Sequence, residues 1–256
     1  MELSGKVAIV TGAGWGIGRG TALRLAREGM AVVASDVEED EGLAGAHETI
    51  ARIQADGGRA AVVAADAADV DDWRTLVKST EETFGGLDLL VNNAGGHRPP
   101  NFPDGPPERW SRVLDVNLRG AMLGIEAALE PMRRRGGGAI VNVSSVAGLL
   151  WEPYDAPEYA AAKAGVIHLT AALGSLRKRD NVSVTCICPD WVATEAVERA
   201  LAAMTPAERS EVRGLVPVDE IAELIVGLAR DETMAGRVLV RWADEAQARL
   251  LPQERL

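Results

Sequence analysis

Cysteine is scarce in this sequence, and long hydrophobic runs are absent. The two cysteines, Cys186 and Cys188, lie two positions apart in one apolar run, where neighbouring residues of a strand rarely suit a disulfide. No CxxC motif or histidine cluster accompanies them, so we expect reduced structural thiols and no metal site. No run is long enough to span a bilayer, and a strand pattern that begins at Lys6 leaves no room for a signal peptide. We therefore expect a cytoplasmic protein.

Basic residues are also fewer than acidic ones. The sequence has 27 basic residues against 38 acidic ones, and its formal net charge is −11. Nucleic acids and anionic membrane surfaces bind basic patches, so we expect neither as a partner. Hydrophobic residues make up 47% of the chain, which is enough for a full core. The length suits one domain over 1–256, although length alone would also permit two small domains.

Short apolar runs alternate with longer amphipathic segments along the chain. Strand patterns occupy 6–11, 30–35, 59–64, 87–92, 138–144, 182–188 and 236–241, and helix patterns occupy about 16–28, 40–56, 69–84, 107–135, 157–179 and 217–230. Runs that are apolar throughout are typical of strands buried on both faces. The alternation predicts an α/β fold, in which helices cover both sides of a parallel sheet.

Two segments interrupt this alternation. Residues 95–106 are rich in glycine and proline, and residues 189–216 form a partly helical excursion between the last two strand patterns. Both follow the carboxyl ends of predicted strands, which is where ligands bind in open α/β sheets. We expect these two segments and the loop 146–158 to border the substrate.

A glycine-rich turn follows the first strand pattern. Gly12, Gly14, Gly16 and Gly18 fall within seven positions. Glycine permits a tight turn and a close approach of the backbone to a pyrophosphate, and the helix that follows presents free N–H groups and a positive dipole end. The pattern indicates a dinucleotide site, with a turn that binds no ligand as the alternative.

An acidic residue stands at the end of the second strand pattern. Asp36 follows Gly18 by eighteen residues and has no arginine or lysine beside it. A carboxylate there can accept hydrogen bonds from ribose hydroxyls, and it repels a 2′-phosphate. The sequence therefore predicts NAD as the cofactor, not NADP. The alternative is that Asp36 simply caps a helix.

A tyrosine and a lysine share one face of a predicted helix. Tyr159 and Lys163 are four residues apart, which is about one helical turn. Tyrosine has an unperturbed pKa near 10, and a nearby ammonium group favours its phenolate form. The pair is therefore a candidate general acid and base.

Three motifs occur in the order typical of one family: T-G-x-x-x-G-x-G from Thr11 to Gly18, NNAG from Asn92 to Gly95, and the pair just described. Through Thr194 the chain resembles the short-chain dehydrogenase/reductase family, NAD-dependent type. The resemblance implies a Rossmann-type, doubly wound sheet of seven parallel strands in the order 3-2-1-4-5-6-7. It also implies a homodimer or homotetramer, paired through the helices at 107–135 and 157–179.

The resemblance also assigns roles to individual residues. Tyr159 would be the acid and base, Lys163 would bind the nicotinamide ribose, and Ser145 would hold the substrate oxygen, with Ser144 as a competing candidate. Asn117 would complete the catalytic set by holding a water that links Lys163 to solvent. The implied cofactor contacts are Gly12, Gly14, Trp15, Gly16, Ile17, Gly18, Asp36, Asp66, Ala67, Asn93, Ala94, Gly95, Tyr159, Lys163, Pro189 and Thr194.

The sequence departs from the family pattern at two places. Ser145 and Tyr159 are fourteen residues apart, one more than is common, and the extra residue lies in the loop that faces the substrate. Asp190 replaces the usual glycine after Pro189, and we expect its side chain to enter the nicotinamide end of the cleft.

Apolar and aromatic residues dominate the predicted pocket wall, which comprises His97, Leu149, Leu150, Trp151, Tyr154, Trp191 and Met204. Such a wall suits a moderately hydrophobic secondary alcohol or ketone. The loop loosely resembles that of relatives of 15-hydroxyprostaglandin dehydrogenase. His97 could instead be a solvated loop residue. Two other functions stay open: an NADPH-type reductase of carbonyls or 3-oxoacyl thioesters, and a catalytically silent NAD-binding sensor.

Overall fold

The sheet contains the seven predicted strands and one more. A computed structural model describes residues 1–252, except for the side chains of Asp40 and Glu211. Within these residues the strands are β1 (Val7–Thr11), β2 (Ala31–Asp36), β3 (Ala60–Ala64), β4 (Leu89–Asn92), β5 (Gly138–Val143), β6 (Val182–Pro189), β7 (Val238–Arg241) and β8 (Arg249–Leu250). Their order is β3-β2-β1-β4-β5-β6-β7-β8. The predicted order of the first seven strands is confirmed, and all of them pair in parallel.

The eighth strand was not predicted. β8 is two residues long and pairs antiparallel with β7. It follows a polar segment, and two residues are too few to give the alternation by which a strand is recognised.

Helices cover both faces of the sheet. Over the described residues they are α1 (Gly16–Arg27), α2 (Gly42–Ala55), α3 (Val70–Phe84), α4 (Pro107–Leu114), α5 (Gly120–Arg134), α6 (Pro157–Ala172), α7 (Leu176–Asp180), α8 (Glu195–Ala203), α9 (Pro206–Glu211) and α10 (Val218–Arg230). In the described part of the chain, no helix is both long enough and apolar enough to cross a membrane.

The two longest predicted helices are each divided. A π turn, Asp115–Arg119, separates α4 from α5, and α6 ends before α7 begins. The second break coincides with Gly174, where an added Cβ would lie 3.2 Å from the backbone of Gly236. Hydrophobic periodicity reports which face of a helix is buried, and it does not register a single widened turn or a short break.

The core lies on both sides of the sheet. On one side Ile9 and Leu90 pack in a cluster with residues of α3 and α5, and on the other Val10 and Leu89 pack with residues of α1 and α10. Successive side chains of a strand point to opposite faces, so apolar runs without interruption are what this architecture requires. The sheet thereby holds the carboxyl ends of β1, β4, β5 and β6 along one edge.

Both cysteines lie in β6. Cys186 and Cys188 are free, buried thiols and pack with Val146 and Val166 in a third cluster. The strand extends one residue beyond the predicted 182–188 and ends at Pro189.

Candidate active site

The glycine turn is anchored to the neighbouring strand through Thr11, the last residue of β1. The Thr11 hydroxyl accepts hydrogen bonds from the backbone N–H groups of Asn93 and Ala94, each at 3.0 Å. The Asn93 amide donates to the carbonyls of Thr11 at 2.8 Å and Gly12 at 3.1 Å. The NNAG segment after β4 therefore holds the start of the turn in place.

The turn is shaped to keep side chains out. Gly12 and Gly16 have positive φ values of 62° and 50°, which favour glycine. A Cβ at Gly12 would lie 2.9 Å from the Cα of Ala94, and one at Gly16 would lie 2.8 Å from the Thr194 methyl group. Trp15 precedes the first residue of α1 without capping it. The free N–H groups of α1 are thus presented at the edge of the sheet.

Asp36 stands beside this turn at the end of β2. One carboxylate oxygen accepts from the Gly14 N–H at 2.8 Å, and the other accepts from the Val37 N–H at 2.9 Å. Burial raises the pKa of Asp36, and both hydrogen bonds oppose that rise. Asp36 is not a helix cap, because the residue that precedes α2 is Glu41. Each carboxylate oxygen can still accept a further hydrogen bond.

Asp66 forms an ion pair that the sequence did not predict. Arg112 of α4 approaches the Asp66 carboxylate at 2.8 Å, and the Ala68 N–H donates to the other oxygen at 2.9 Å. Ala67 is buried, and its carbonyl accepts from the Trp73 indole at 2.8 Å. Arg112 lies 46 residues further along the chain in a helix that showed only amphipathic periodicity, so no local pattern could pair it with Asp66.

The π turn places Asn117 against the loop after β4. The Asn117 amide donates to the carbonyls of Gly96 at 2.8 Å and Val113 at 2.9 Å, and its oxygen accepts from the Gly96 N–H at 3.0 Å. A Cβ at Gly95 would collide with the Asn117 oxygen and would lie 3.2 Å from the Lys163 ammonium group. Single π turns are frequent at functional sites, and this one lies between the loop and the lysine.

Lys163 projects from α6 into the interior. Its side chain is buried, and its ammonium group donates to the Val143 carbonyl at 2.9 Å. Burial lowers the pKa of Lys163 to about 8, because the charged form is poorly solvated there. A cavity of about 10 Å³, lined by Asn117 and Lys163 among others, is about the size of one water molecule.

Tyr159 lies one turn before this lysine. The Lys163 ammonium group is 5.5 Å from the centre of the Tyr159 ring. Burial raises the pKa of Tyr159, and the Ser145 side chain opposes the rise. Ser144 instead is buried and donates to the Lys163 carbonyl at 2.8 Å. The Ser144 hydroxyl is thus engaged by the backbone of α6, and Ser145 is the better candidate to face Tyr159.

Two of the predicted pocket residues flank the tyrosine ring. The His97 ring centre is 5.1 Å from that of Tyr159, and the Tyr154 ring stacks on it at 6.5 Å with an angle of 23°. The His97 side chain is also exposed. Leu149 packs against the cluster that contains Cys188. The remaining half-buried members are Leu150, Trp191 and Met204.

Trp151 does not belong to the wall. Its side chain is fully exposed, so the prediction that it lines the pocket is wrong for this structure. The segment around it has no regular secondary structure, and Tyr154 turns inward where Trp151 turns out. Sequence alone does not determine which aromatic residue of an irregular loop faces inward.

Comparison with known proteins identifies the family. Residues 6–204 match the family described as short chain dehydrogenase. The chain belongs to this family. The dehydrogenase is 39% identical to a 3-oxoacyl-[acyl-carrier-protein] reductase of Synechocystis sp. over 77% of its own length and 78% of the relative. It is 34% identical to the cyclohexanol dehydrogenase of Acinetobacter sp., with 90% of each chain covered. A solved 7α-hydroxysteroid dehydrogenase, in complex with NADH and 7-oxo glycochenodeoxycholic acid, superimposes with a TM-score of 0.85 at 28% identity, over 94% of each chain.

Short-chain dehydrogenases bind a nicotinamide cofactor, and the residues of this dehydrogenase fit one. The glycine turn excludes side chains where a pyrophosphate would approach the N-terminus of α1. A carboxylate already accepts a hydrogen bond there: the Glu195 oxygen lies 3.0 Å from the Gly16 nitrogen. A carboxylate oxygen is an anionic acceptor, as a phosphate oxygen is, so this contact shows that the helix terminus can bind one. Asp36, at the end of β2, is placed for a ribose.

Asp190 of the dehydrogenase has a different role from the one we expected. Its carboxylate accepts from the Ala243 N–H at 3.1 Å, and its own N–H donates to the Arg241 carbonyl at 2.9 Å. The side chain therefore binds the segment after β7 and does not enter the nicotinamide end of the cleft. The negative charge of Asp190 still helps to raise the pKa of Tyr154, although burial and the charge of Asp155 contribute more.

Thr194 and Pro189 lie near the carboxyl end of β6. Pro189 ends β6, and the Thr194 hydroxyl caps α8 by accepting from the Val197 N–H at 3.3 Å. The Thr194 methyl group faces Gly16 of the glycine turn.

Glu158, the residue before the tyrosine, is a buried acid that the sequence did not predict. Glu158 is only 6% exposed and accepts from the Phe102 N–H at 3.3 Å, which ties the loop 95–106 to α6. A glutamate in the first turn of a helix is ordinary, so its sequence context gave no signal. Over residues 1–252, no group of three or more His, Cys, Asp or Glu side chains could hold a metal ion.

Proposed function

We propose that this dehydrogenase transfers a hydride between NAD(H) and a moderately hydrophobic secondary alcohol or ketone, with Tyr159 as the acid and base. One observation carries the proposal. The ammonium group of the buried Lys163 lies 5.5 Å from the centre of the Tyr159 ring, at the edge of the sheet where the glycine turn lies. Lys163 is one helical turn from the tyrosine.

Each residue then has a definite task. Bound NAD⁺ would supply the hydride acceptor. Tyr159 accepts the hydroxyl proton of the alcohol, and Ser145 donates a hydrogen bond to the oxygen on which charge develops. Burial and then the neighbouring Tyr154 raise the pKa of Tyr159, so its phenolate needs a nearby positive charge, which protonated Lys163 would provide. The cavity between Asn117 and Lys163 has room for the water through which the proton would leave.

Asp36 supports NAD as the cofactor. Its carboxylate is fixed by two backbone hydrogen bonds at the end of β2, and a 2′-phosphate there would place two anions in contact. Desolvation already disfavours the charge of Asp36, and hydrogen bonds from two ribose hydroxyls would offset that cost.

The surroundings of Tyr159 favour an apolar substrate. The rings of His97 and Tyr154 flank the tyrosine, and Leu149 packs against the apolar cluster that contains Cys188. The relatives named for cyclohexanol and for a hydroxysteroid agree with a secondary alcohol on an apolar ring.

Reduction of a 3-oxoacyl thioester is the second candidate. It is favoured by the likeness to a 3-oxoacyl-[acyl-carrier-protein] reductase, and it is opposed by Asp36 if the cofactor is NADPH. A silent NAD-binding sensor is disfavoured, because Asn117, Ser145, Tyr159 and Lys163 are all present and close to one another.

A substrate panel tests the proposal. Cyclic and linear secondary alcohols with NAD⁺, and the matching ketones and 3-oxoacyl thioesters with NADH or NADPH, are followed by the absorbance of the reduced nicotinamide. We expect turnover of at least one apolar secondary alcohol with NAD⁺, rising with pH as Tyr159 loses its proton. Turnover only of thioesters with NADPH would favour the second candidate, and binding of NADH without any turnover would favour the sensor.

A further inference from the structure

The first helix begins without a cap of its own. α1 starts at Gly16, the Trp15 side chain makes no capping hydrogen bond, and the first turn contains no acidic residue. Such a helix start has several free N–H groups and a partial positive charge. A residue from a distant part of the chain takes the place of the cap.

That residue is Glu195, the first residue of α8. One of its carboxylate oxygens accepts from the Gly16 N–H at 3.0 Å, and the other lies 3.7 Å from the Arg19 guanidinium. The two contacting residues are 179 positions apart in sequence. Because Glu195 also lies in the first turn of its own helix, its charge is close to the positive ends of both α1 and α8.

α8 lies at the surface of the molecule. No residue of α8 is buried, and just before it the Thr194 methyl group faces Gly16 of the glycine turn. α8 belongs to the segment 189–216, which we expect to border the substrate. The Glu195 contact therefore fixes where one side of the substrate cleft begins.

The N-terminus of α1 is also where the pyrophosphate of the cofactor would bind under the function proposed above, on which this inference rests. A carboxylate and a phosphate cannot both accept the same N–H group at close range, and their negative charges repel each other. One of them has to leave.

We propose that Glu195 is an internal competitor for the cofactor. In the free protein its carboxylate occupies the pyrophosphate position and holds α8 on the glycine turn. Binding of the dinucleotide displaces the carboxylate and releases the start of α8. This competition reduces the affinity for the cofactor. It also makes the position of α8, on the substrate side of the cleft, depend on whether the cofactor is bound.

The chain offers a matched control. Glu198 lies in the same first turn of α8, but it is exposed, and within the described residues its side chain makes no hydrogen bond or ion pair with the glycine turn. Glu195→Gln and Glu198→Gln change the net charge and the charge at the start of α8 equally. Only the first removes the charge from Gly16, so their difference isolates the competition from any effect on the helix itself.

Calorimetric titrations of the full-length wild type and both variants test the proposal with three probes: NADH, ADP and adenosine. We expect Glu195→Gln to bind NADH and ADP roughly three- to tenfold more tightly, the range expected for one charge at a helix terminus. Adenosine, which has no phosphate, should bind all three proteins equally. Glu198→Gln should match the wild type with every probe.

Three outcomes would contradict the proposal that Glu195 competes with the cofactor. They are unchanged or weaker NADH binding by Glu195→Gln, an equal gain in its affinity for adenosine, or an equal gain in NADH affinity in Glu198→Gln. Failure of the wild type to bind NADH at all would instead contradict the proposed function. If Glu195→Gln does not fold, Glu195→Asp keeps the charge on a shorter side chain and should show a smaller gain. Amide exchange gives a second readout, in which NADH should increase exchange at the start of α8 in the wild type but not in Glu195→Gln.

Discussion

At the scale of single residues, sequence spacing predicted which side chains lie together. The tertiary fold determined how deeply they are buried and what they contact. Four residues between Tyr159 and Lys163 place both on one helical face, and the structure has them together. The depth of Lys163 and its hydrogen bond to Val143 depend on how β5 packs against α6, which no local pattern contains. The same applies to Arg112 beside Asp66 and to Glu195 beside Gly16.

The low pKa of Lys163 predicts a pH dependence of stability. Its pKa is about 8 in the folded protein and near 10.5 when exposed, so between these values the unfolded chain binds more protons. The free energy of unfolding should therefore rise with pH in this interval. Relative to Lys163→Met, the wild type should gain about 2 kcal/mol between pH 7 and 9.5. Urea unfolding at the two pH values measures this, and equal changes in both proteins would mean that Lys163 is not desolvated.

Asp36 predicts the cofactor preference. Replacing Asp36 by Ala and Val37 by Arg removes the repulsion of a 2′-phosphate and supplies a cation for it. The ratio of NADPH to NADH affinity should rise by ~10-fold or more, because a hydrogen bond to a charged group contributes about 1.5–3 kcal/mol. Val37→Arg alone keeps the carboxylate and should shift the ratio less. Equal or tighter NADPH binding by the unmodified protein, measured by calorimetry, would show that Asp36 does not select NAD.

At the scale of elements, strands were predicted better than helix interruptions. Each parallel strand is a buried apolar run, and its position follows directly from composition. The predicted helix 107–135 contains a π turn whose cause is tertiary: the Asn117 amide donates to Gly96 in the loop after β4 as well as to Val113 in its own helix. A periodicity of 3.6 residues cannot reveal a turn that a distant loop stabilises.

The close approach of Gly95 to this π turn can be tested. In Gly95→Ala the new Cβ would displace the Asn117 oxygen and crowd the Lys163 ammonium group. We expect kcat to fall on the order of 10- to 100-fold, because small misplacements of catalytic groups have effects of that size. Gly227→Ala is the matched control, since an added Cβ there has no neighbour within 4 Å. A kcat for Gly95→Ala equal to that of the control would remove Asn117 from the mechanism.

At the scale of the whole molecule, the strand–helix alternation predicted the architecture, and the family resemblance predicted the strand order. Neither predicted β8, nor that Asp190 would bind the segment after β7. Both features depend on how the segment after β7 packs, which is decided by the completed sheet and not by local sequence.

The family resemblance predicts a homodimer or homotetramer, paired through the helices within 107–135 and 157–179. Met122 lies on α5, within the first of these ranges, and is 50% exposed. Light scattering at micromolar concentration should give a multiple of 27.1 kDa, and Met122→Glu should lower that mass. A wild-type mass equal to one chain would refute the oligomer.

The central claim is that Tyr159 exchanges the proton, and the chain's only two tyrosines allow a direct test. The rings of Tyr154 and Tyr159 stack. Each Phe substitution therefore removes one phenolic hydroxyl, and the two hydroxyls belong to neighbouring rings. With an alcohol that the wild type oxidises, Tyr159→Phe should lower kcat at least ~100-fold, the lower end for a positioned acid and base, and should leave NADH binding unchanged. Tyr154→Phe should retain most of kcat. Loss of turnover in Tyr154→Phe with retention in Tyr159→Phe would contradict the account.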